Sequence, residues 1–122
     1  MPLIWVFLGG GLGSLCRYGI SRYFAQWQPA FPYATLTANA LSCIVLGTLV
    51  ALALKSNLSD AFKLFAMVGF CGGFSTYSTF TNETWQLIEG GNLSLVALNV
   101  VGNLLLCLAC IGLGLWLGRN LL

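Results

Sequence analysis

The sequence has no histidine, three acidic residues and five basic ones among its 122 positions. Charged residues make up 7% of it, against about 25% in soluble domains. Such a chain cannot cover its surface with polar groups in water, so its solvent is the lipid bilayer. The missing groups also exclude chemistry. With no histidine, no buried acid–base pair and no nucleophile beside a base, an enzyme is excluded. A net charge of +2 and the lack of any basic run with interleaved aromatics exclude nucleic acid as a partner. No acidic residue precedes Asp60, and Glu83 and Glu89 come near the end of the third apolar stretch. A small exporter that couples protons to cationic drugs would need a carboxylate in its first span. That absence counts against this class.

Apolar residues fill the space instead, at 58% of the chain. Tyr23–Leu54, Leu64–Asn82 and Gly90–Gly118 carry no charge, and neither does Met1–Cys16 ahead of Arg17. A membrane span needs about 20 mostly apolar residues. The pattern predicts an all-α integral membrane protein of four transmembrane helices, roughly 3–23, 33–54, 62–88 and 93–117. The first run has no basic residue ahead of it and reads as a span, not a secretory signal. The loops are too short for a soluble domain, so residues 1–122 form one domain. Cysteines 16, 43, 71, 107 and 110 all fall in apolar stretches, where a thiol packs as a small hydrophobe. Cys107 and Cys110 form a CxxC, but without histidine or a second CxxC it does not read as a metal site. Triplets at Asn57, Asn82 and Asn92 match the glycosylation pattern and lie at or near the membrane.

The basic residues are almost evenly divided. In a four-span layout Lys55, Lys63 and Arg119 share one side, and Arg17 and Arg22 the other. Basic loop asymmetry sets orientation, and here it is nearly absent. Insertion in both directions is expected, with two opposed copies pairing about an axis in the membrane plane. Gly9 with Gly13 and Gly114 with Gly118 are small-xxx-small pairs that allow close helix approach.

Polar groups inside the spans need partners in hydrocarbon. Asn39 and Ser42 fall in the second span, Ser75–Thr79 in the third, and Asn99 and Asn103 in the fourth. Asn99, Asn103 and Cys107 are spaced by four and share a helix face. One asparagine could be packing glue, but three spans contributing amides or hydroxyls favour a lined pathway. Its lining is rich in donors and poor in carboxylates, which suits an anion or a neutral polar solute. Arg17, at the end of the first span, either joins that lining or reaches for the interface. The third span holds GFCGGFSTYSTF, residues 69–80. Its glycines weaken the helix, and its hydroxyls compete for backbone bonds. A break there is expected. Tyr77 and Phe80, three apart, would turn ring edges of positive potential toward a pathway.

GFCGGFSTYSTF is similar to the third-span signature of the CrcB/Fluc fluoride channel family. GGGLGSLCRY (9–18), TLTANALSCIVLG (35–47) and LNVVGN (98–103) resemble its other spans in order. The resemblance implies an antiparallel dual-topology homodimer with a break in the third helix. It implies a passive channel that exports cytoplasmic fluoride and confers fluoride resistance. The location would be a prokaryotic plasma membrane, the inner one in a Gram-negative cell. It further implies a structural sodium ion at the dimer centre, held by backbone carbonyls of Gly72 and Ser75. The fluoride pathway would run along Asn39, Tyr77, Ser78, Thr79, Phe80, Asn99, Asn103 and Cys107, with Arg17 at the vestibule. Three positions depart from the family pattern: Tyr77 stands for phenylalanine, Ser75 for threonine and Cys107 for serine.

Overall fold

The structure is a computed structural model that describes residues 1–122. It is all helical. Helix α1 spans Pro2–Ala25, with its proline in the first turn, where a missing N–H costs nothing. Helix α2 spans Tyr33–Lys55 and α6 spans Leu93–Asn120. Between them lie α3 (Asp60–Lys63), a π-helical segment (Leu64–Cys71), α4 (Gly72–Phe74) and α5 (Tyr77–Glu89). Ser59 caps α3 by accepting from the Phe62 amide at 3.1 Å. Helices α1, α2 and α6 are each long and apolar enough to cross a membrane.

The contacts fix the directions of the helices. Asn39 meets Asn103, Gly47 meets Gly114, and Lys55 meets Gly118 and Arg119. Partners ascend together, so α2 and α6 run parallel. Gly9 meets Phe65, Gly13 meets Phe70, and Arg17 meets Gly73. Helix α1 therefore runs parallel to the Leu64–Phe74 stretch. The first segment pairs with the third, and the second with the fourth.

Small residues make these contacts. A Cβ on Gly9 would fall on the Phe65 carbonyl, and one on Gly13 on the Phe70 carbonyl. One on Gly114 would fall on the Ile44 carbonyl. Close backbone approach of this kind is how helices associate in lipid, where burying apolar surface supplies no drive. The buried set is accordingly small side chains such as Ala38, Ala51, Ser42 and Cys110. Leu104, Leu105 and Leu108 point outward from α6, as side chains do where the surroundings are hydrocarbon. At the far end, Lys55 Nζ donates to the Gly118 and Arg119 carbonyls, each at 3.2 Å. A cation there satisfies free carbonyls at a helix C-terminus.

The glycine contacts yield a contrast within one helix. Gly13→Ala should destabilise the protein by about 1–3 kcal/mol, the usual cost of overpacking. Gly11, which has open space around it, should accept alanine neutrally or gain up to about 1 kcal/mol of helix propensity. Thermal unfolding of both variants in detergent measures the difference. Equal stabilities would contradict the packing of α1 on the Leu64–Phe74 stretch.

Candidate ion pathway

Ser75 (ψ 158°) and Thr76 (ψ 128°) have extended backbone between α4 and α5. Extended residues cannot use the helical ladder, so their polar groups need partners from elsewhere. Asn39, reaching from α2, supplies them. Its Oδ1 accepts from the Thr76 amide at 2.9 Å, and its Nδ2 lies 3.5 Å from the Thr76 carbonyl. One side-chain amide thus pairs with both polar groups of one residue. The Thr76 hydroxyl then caps α5, accepting from the Thr79 amide at 3.3 Å.

These two bonds free two carbonyls. In a continuous helix the Thr76 amide would donate to the Gly72 carbonyl, and the Thr79 amide to the Ser75 carbonyl. Both amides are engaged elsewhere. The Cys71 carbonyl, by contrast, is well satisfied. It accepts from the Ser75 amide at 3.1 Å, the Ser75 hydroxyl at 2.9 Å and the Ser42 hydroxyl at 3.1 Å.

From Asn39 a relay of amides crosses the bundle. Asn39 Nδ2 lies 3.5 Å from Asn103 Oδ1. Asn103 Nδ2 donates to the carbonyl and Oδ1 of Asn99, both at 2.9 Å. Asn99 Nδ2 donates to the Thr84 hydroxyl at 2.9 Å, and that hydroxyl donates to the Phe80 carbonyl at 2.8 Å. Asn99 is 0% exposed. The relay ties α2, α6 and α5 together and leaves no amide of the set orphaned.

Beside the relay lies a cavity of about 430 Å³. Asn39, Asn103, Tyr77, Phe80, Cys43 and Cys107 line it, and no acidic side chain does. The Tyr77 and Phe80 rings stand 5.8 Å apart at 46°. Tyr77 is 78% exposed, so it forms the outer rim. A second cavity of about 220 Å³ lies toward the end of α1. It joins Arg17 and Thr79 to Glu83, Thr35, Ser14 and Ser21. Arg17 Nε donates to the Gly73 carbonyl at 3.2 Å, which draws the side chain inward over the bundle.

The residues singled out from the sequence therefore divide. Asn39, Tyr77, Phe80, Asn103 and Cys107 share the larger cavity, and Arg17 and Thr79 the smaller. Asn99 sits behind the lining, fully buried, and does not face the larger cavity. Its four-residue spacing gave the helix side but not the depth, because Thr84 of α5 covers it. Ser78 is exposed, with its hydroxyl 3.3 Å from that of Thr76. Gly72 is exposed as well.

Sequence reasoning missed Glu83, Thr35 and Thr84. Glu83 comes near the end of the third apolar stretch, yet its Oε1 is buried without a hydrogen-bond partner. A signal was present: Glu83 follows Thr79 by four residues, Thr35 precedes Asn39 by four, and Thr84 follows Phe80 by four. Each therefore shares a helix side with a residue already chosen.

Residues 4–115 match the family model described as CrcB-like protein, Camphor Resistance. The chain belongs to the CrcB family. A relative from Magnetococcus marinus is 39% identical over 121 residues, covering 98% of each chain. One from Shewanella oneidensis is 42% identical over 113 residues, with 92% of this chain and 91% of the relative covered. One from the archaeon Pyrococcus abyssi is 40% identical over 114 residues, covering 93% and 92%. All three bear the name fluoride-specific ion channel FluC. The CrcB family is one of ion channels, not enzymes. With its apolar helices and its bacterial and archaeal relatives, this member is a multi-pass prokaryotic membrane protein.

The Asn39–Thr76 pairing can be tested apart from transport. Asn39→Leu leaves the Thr76 amide without its acceptor, which should cost about 1–3 kcal/mol. Asn92→Ala, at a helix start without a side-chain cap bond, should change stability by less than about 0.5 kcal/mol. Detergent thermal unfolding reads both. An Asn39→Leu variant as stable as the parent would show that Asn39 does not hold the extended segment.

Proposed function

We propose that the protein is a passive fluoride-selective channel that exports cytoplasmic fluoride and so confers fluoride resistance. The single observation that carries this reading is the larger cavity. Two amide side chains and two aromatic rings line it, and no carboxylate does. A small anion in a low-dielectric site needs donors and positive ring edges and is repelled by carboxylates. The names of the relatives point to the same ion.

In this reading Asn39 and Asn103 turn amide N–H groups from their protein acceptors to fluoride as it sheds water. Tyr77 and Phe80 turn ring edges to the same path. Thr79 supplies a hydroxyl at the smaller cavity, Ser78 one beside Thr76 at the edge of the larger, and Cys107 continues the α6 side. Asn99 holds Asn103 in position from behind. Arg17 gives the smaller cavity positive charge and acts as a vestibule that gathers anions. Glu83, in that same cavity, limits how long an anion would stay. Hydrogen fluoride crosses the bilayer as the neutral acid and dissociates inside. The membrane potential then drives the anion out, with about 2.3 kcal/mol per charge for each 100 mV.

The proposal includes an antiparallel homodimer of dual topology in the plasma membrane, the inner membrane of a Gram-negative cell. The third span is broken in it at Ser75 and Thr76. A structural sodium ion at the dimer centre takes the Gly72 and Ser75 carbonyls of each copy. Two observations support that fit: both carbonyls have lost their helical donors, and Gly72 is exposed where a second copy could approach. Bound there, the ion supplies a fixed positive charge that joins the copies. The serine in place of threonine does not matter to a carbonyl ligand.

Fluoride efflux from liposomes holding the purified protein tests the function, with valinomycin to clamp the potential and a fluoride electrode as detector. Fast efflux that needs the ionophore and excludes chloride is expected. Phe80→Ile and Asn39→Asp should each slow it about tenfold or more, which corresponds to about 1.4 kcal/mol on the barrier. Both variants should remain folded dimers by size-exclusion chromatography. Unchanged flux in both would remove the pathway assignment. Exchange of sodium for a large organic cation should weaken dimerisation or activity. Full activity after exhaustive exchange would refute the sodium site.

A further inference from the structure

Two thiols, Cys43 and Cys107, lie in the wall of the larger cavity. Helices α2 and α6 run parallel, and Asn39 meets Asn103 across them. Cys43 and Cys107 lie four residues beyond each asparagine, one turn further along on the same helix sides. Another turn on, Gly47 packs against the Ile111 carbonyl, and the two backbones touch. The thiols therefore sit between an amide contact and a backbone contact. Both border the same cavity. Neither is fully buried. Cys110, the other half of the CxxC, is buried and does not border that space.

We propose that Cys43 and Cys107 form a two-thiol site for a soft, linearly coordinated cation of the Cu⁺, Ag⁺ or Hg²⁺ class, and that an ion held there obstructs the cavity. Thiolate sulfur selects soft metals. No group of three or more metal-ligating side chains exists in the chain, so a tetrahedral ion such as Zn²⁺ lacks its ligand set. Two opposed sulfurs suffice for an ion that accepts linear coordination. For Hg²⁺ the step balances as two S–H bonds broken, two S–Hg bonds formed and two protons released. Nothing is oxidised or reduced. The obstruction rests on the pathway reading above, whereas the binding does not.

The test uses the whole protein and mercuric acetate as the probe. In detergent, one tightly held ion should remove two of the five cysteine thiols from titration after unfolding, with growth of mercury–thiolate absorbance. Cys16→Ser, which changes the exposed thiol, should behave identically. Cys43→Ser and Cys107→Ser should each lose the two-thiol stoichiometry, and the alanine variants repeat the test if serine disturbs folding. Two-thiol uptake persisting in either would overturn the site, as would loss of a single thiol in the parent. In liposomes the loaded parent should lose fluoride efflux, and Cys107→Ser should show the same rate, whatever it is, with and without the probe. Unchanged efflux from fully loaded parent would overturn the obstruction. Absent efflux from unloaded parent would instead reject the pathway reading, and the thiol titration would still decide the site.

Discussion

The arrangement depends on how one peptide unit away from water is satisfied. Thr76 leaves the helical ladder, and in hydrocarbon each unsatisfied backbone group costs several kcal/mol. Asn39 meets both of its polar groups with one side chain. Everything nearby follows from that pairing. The Thr76 hydroxyl is placed to restart the helix at Tyr77. The Gly72 and Ser75 carbonyls lose their helical donors. The Tyr77 and Phe80 rings are set on the first turn of α5, beside the asparagine that made the turn possible. Asn39 is thus a structural residue and a lining residue at once. An aspartate there would bring charge, and a leucine would bring no partner at all.

The second constraint is contact distance. A bundle in lipid cannot rely on hydrophobic burial to hold its helices, so their backbones must come close. Gly9, Gly13 and Gly73 serve α1 against the third segment, and Gly47 and Gly114 serve α2 against α6. Close approach at Gly47 and Gly114 also sets the register two to three turns away, at Asn39 and Asn103. Small residues at one end of a helix pair therefore position the amides at the other. Segment pairs 1–3 and 2–4 each pack tightly, and the larger cavity opens where α5 departs from them.

Much of this was legible in the sequence because the medium leaves few options. Charge-free runs bounded the helices to within a few residues, since only helices satisfy a backbone in hydrocarbon this economically. Four-residue spacing placed Asn99, Asn103 and Cys107 on one side of α6. What spacing could not supply was depth. Asn99 is covered by Thr84, a contact between helices that no local pattern encodes. Glu83 looked terminal because it follows the last uncharged residue, yet α5 continues past it to Glu89 and buries one of its oxygens. The eight-residue π-helical segment was also unreadable, since its sequence LFAMVGFC is apolar and would suit an α-helix equally well. The mutual approach of Phe65, Phe70 and the glycines of α1 accompanies that wider turn.

A single copy leaves costly groups uncovered. Gly72, Tyr77 and Ser78 are exposed, and the freed Gly72 and Ser75 carbonyls belong to the same region. Lipid offers these groups nothing, because acyl chains neither donate hydrogen bonds nor coordinate cations. The proposed antiparallel pairing answers this in physical terms. A second copy brings the same polar region to the first, so carbonyls face carbonyls across the axis. Like dipoles opposed in that way repel unless a cation lies between them, and the proposed sodium, a hard, oxygen-preferring ion, would meet that need. The same step would cover the larger cavity, whose exposed lining includes Tyr77 and Leu104. The Tyr77 phenol adds one donor and acceptor at the mouth. In the proposed assembly the dimer, the cation and the closed pathway would form a single requirement, each removing a cost that the other two would leave in place.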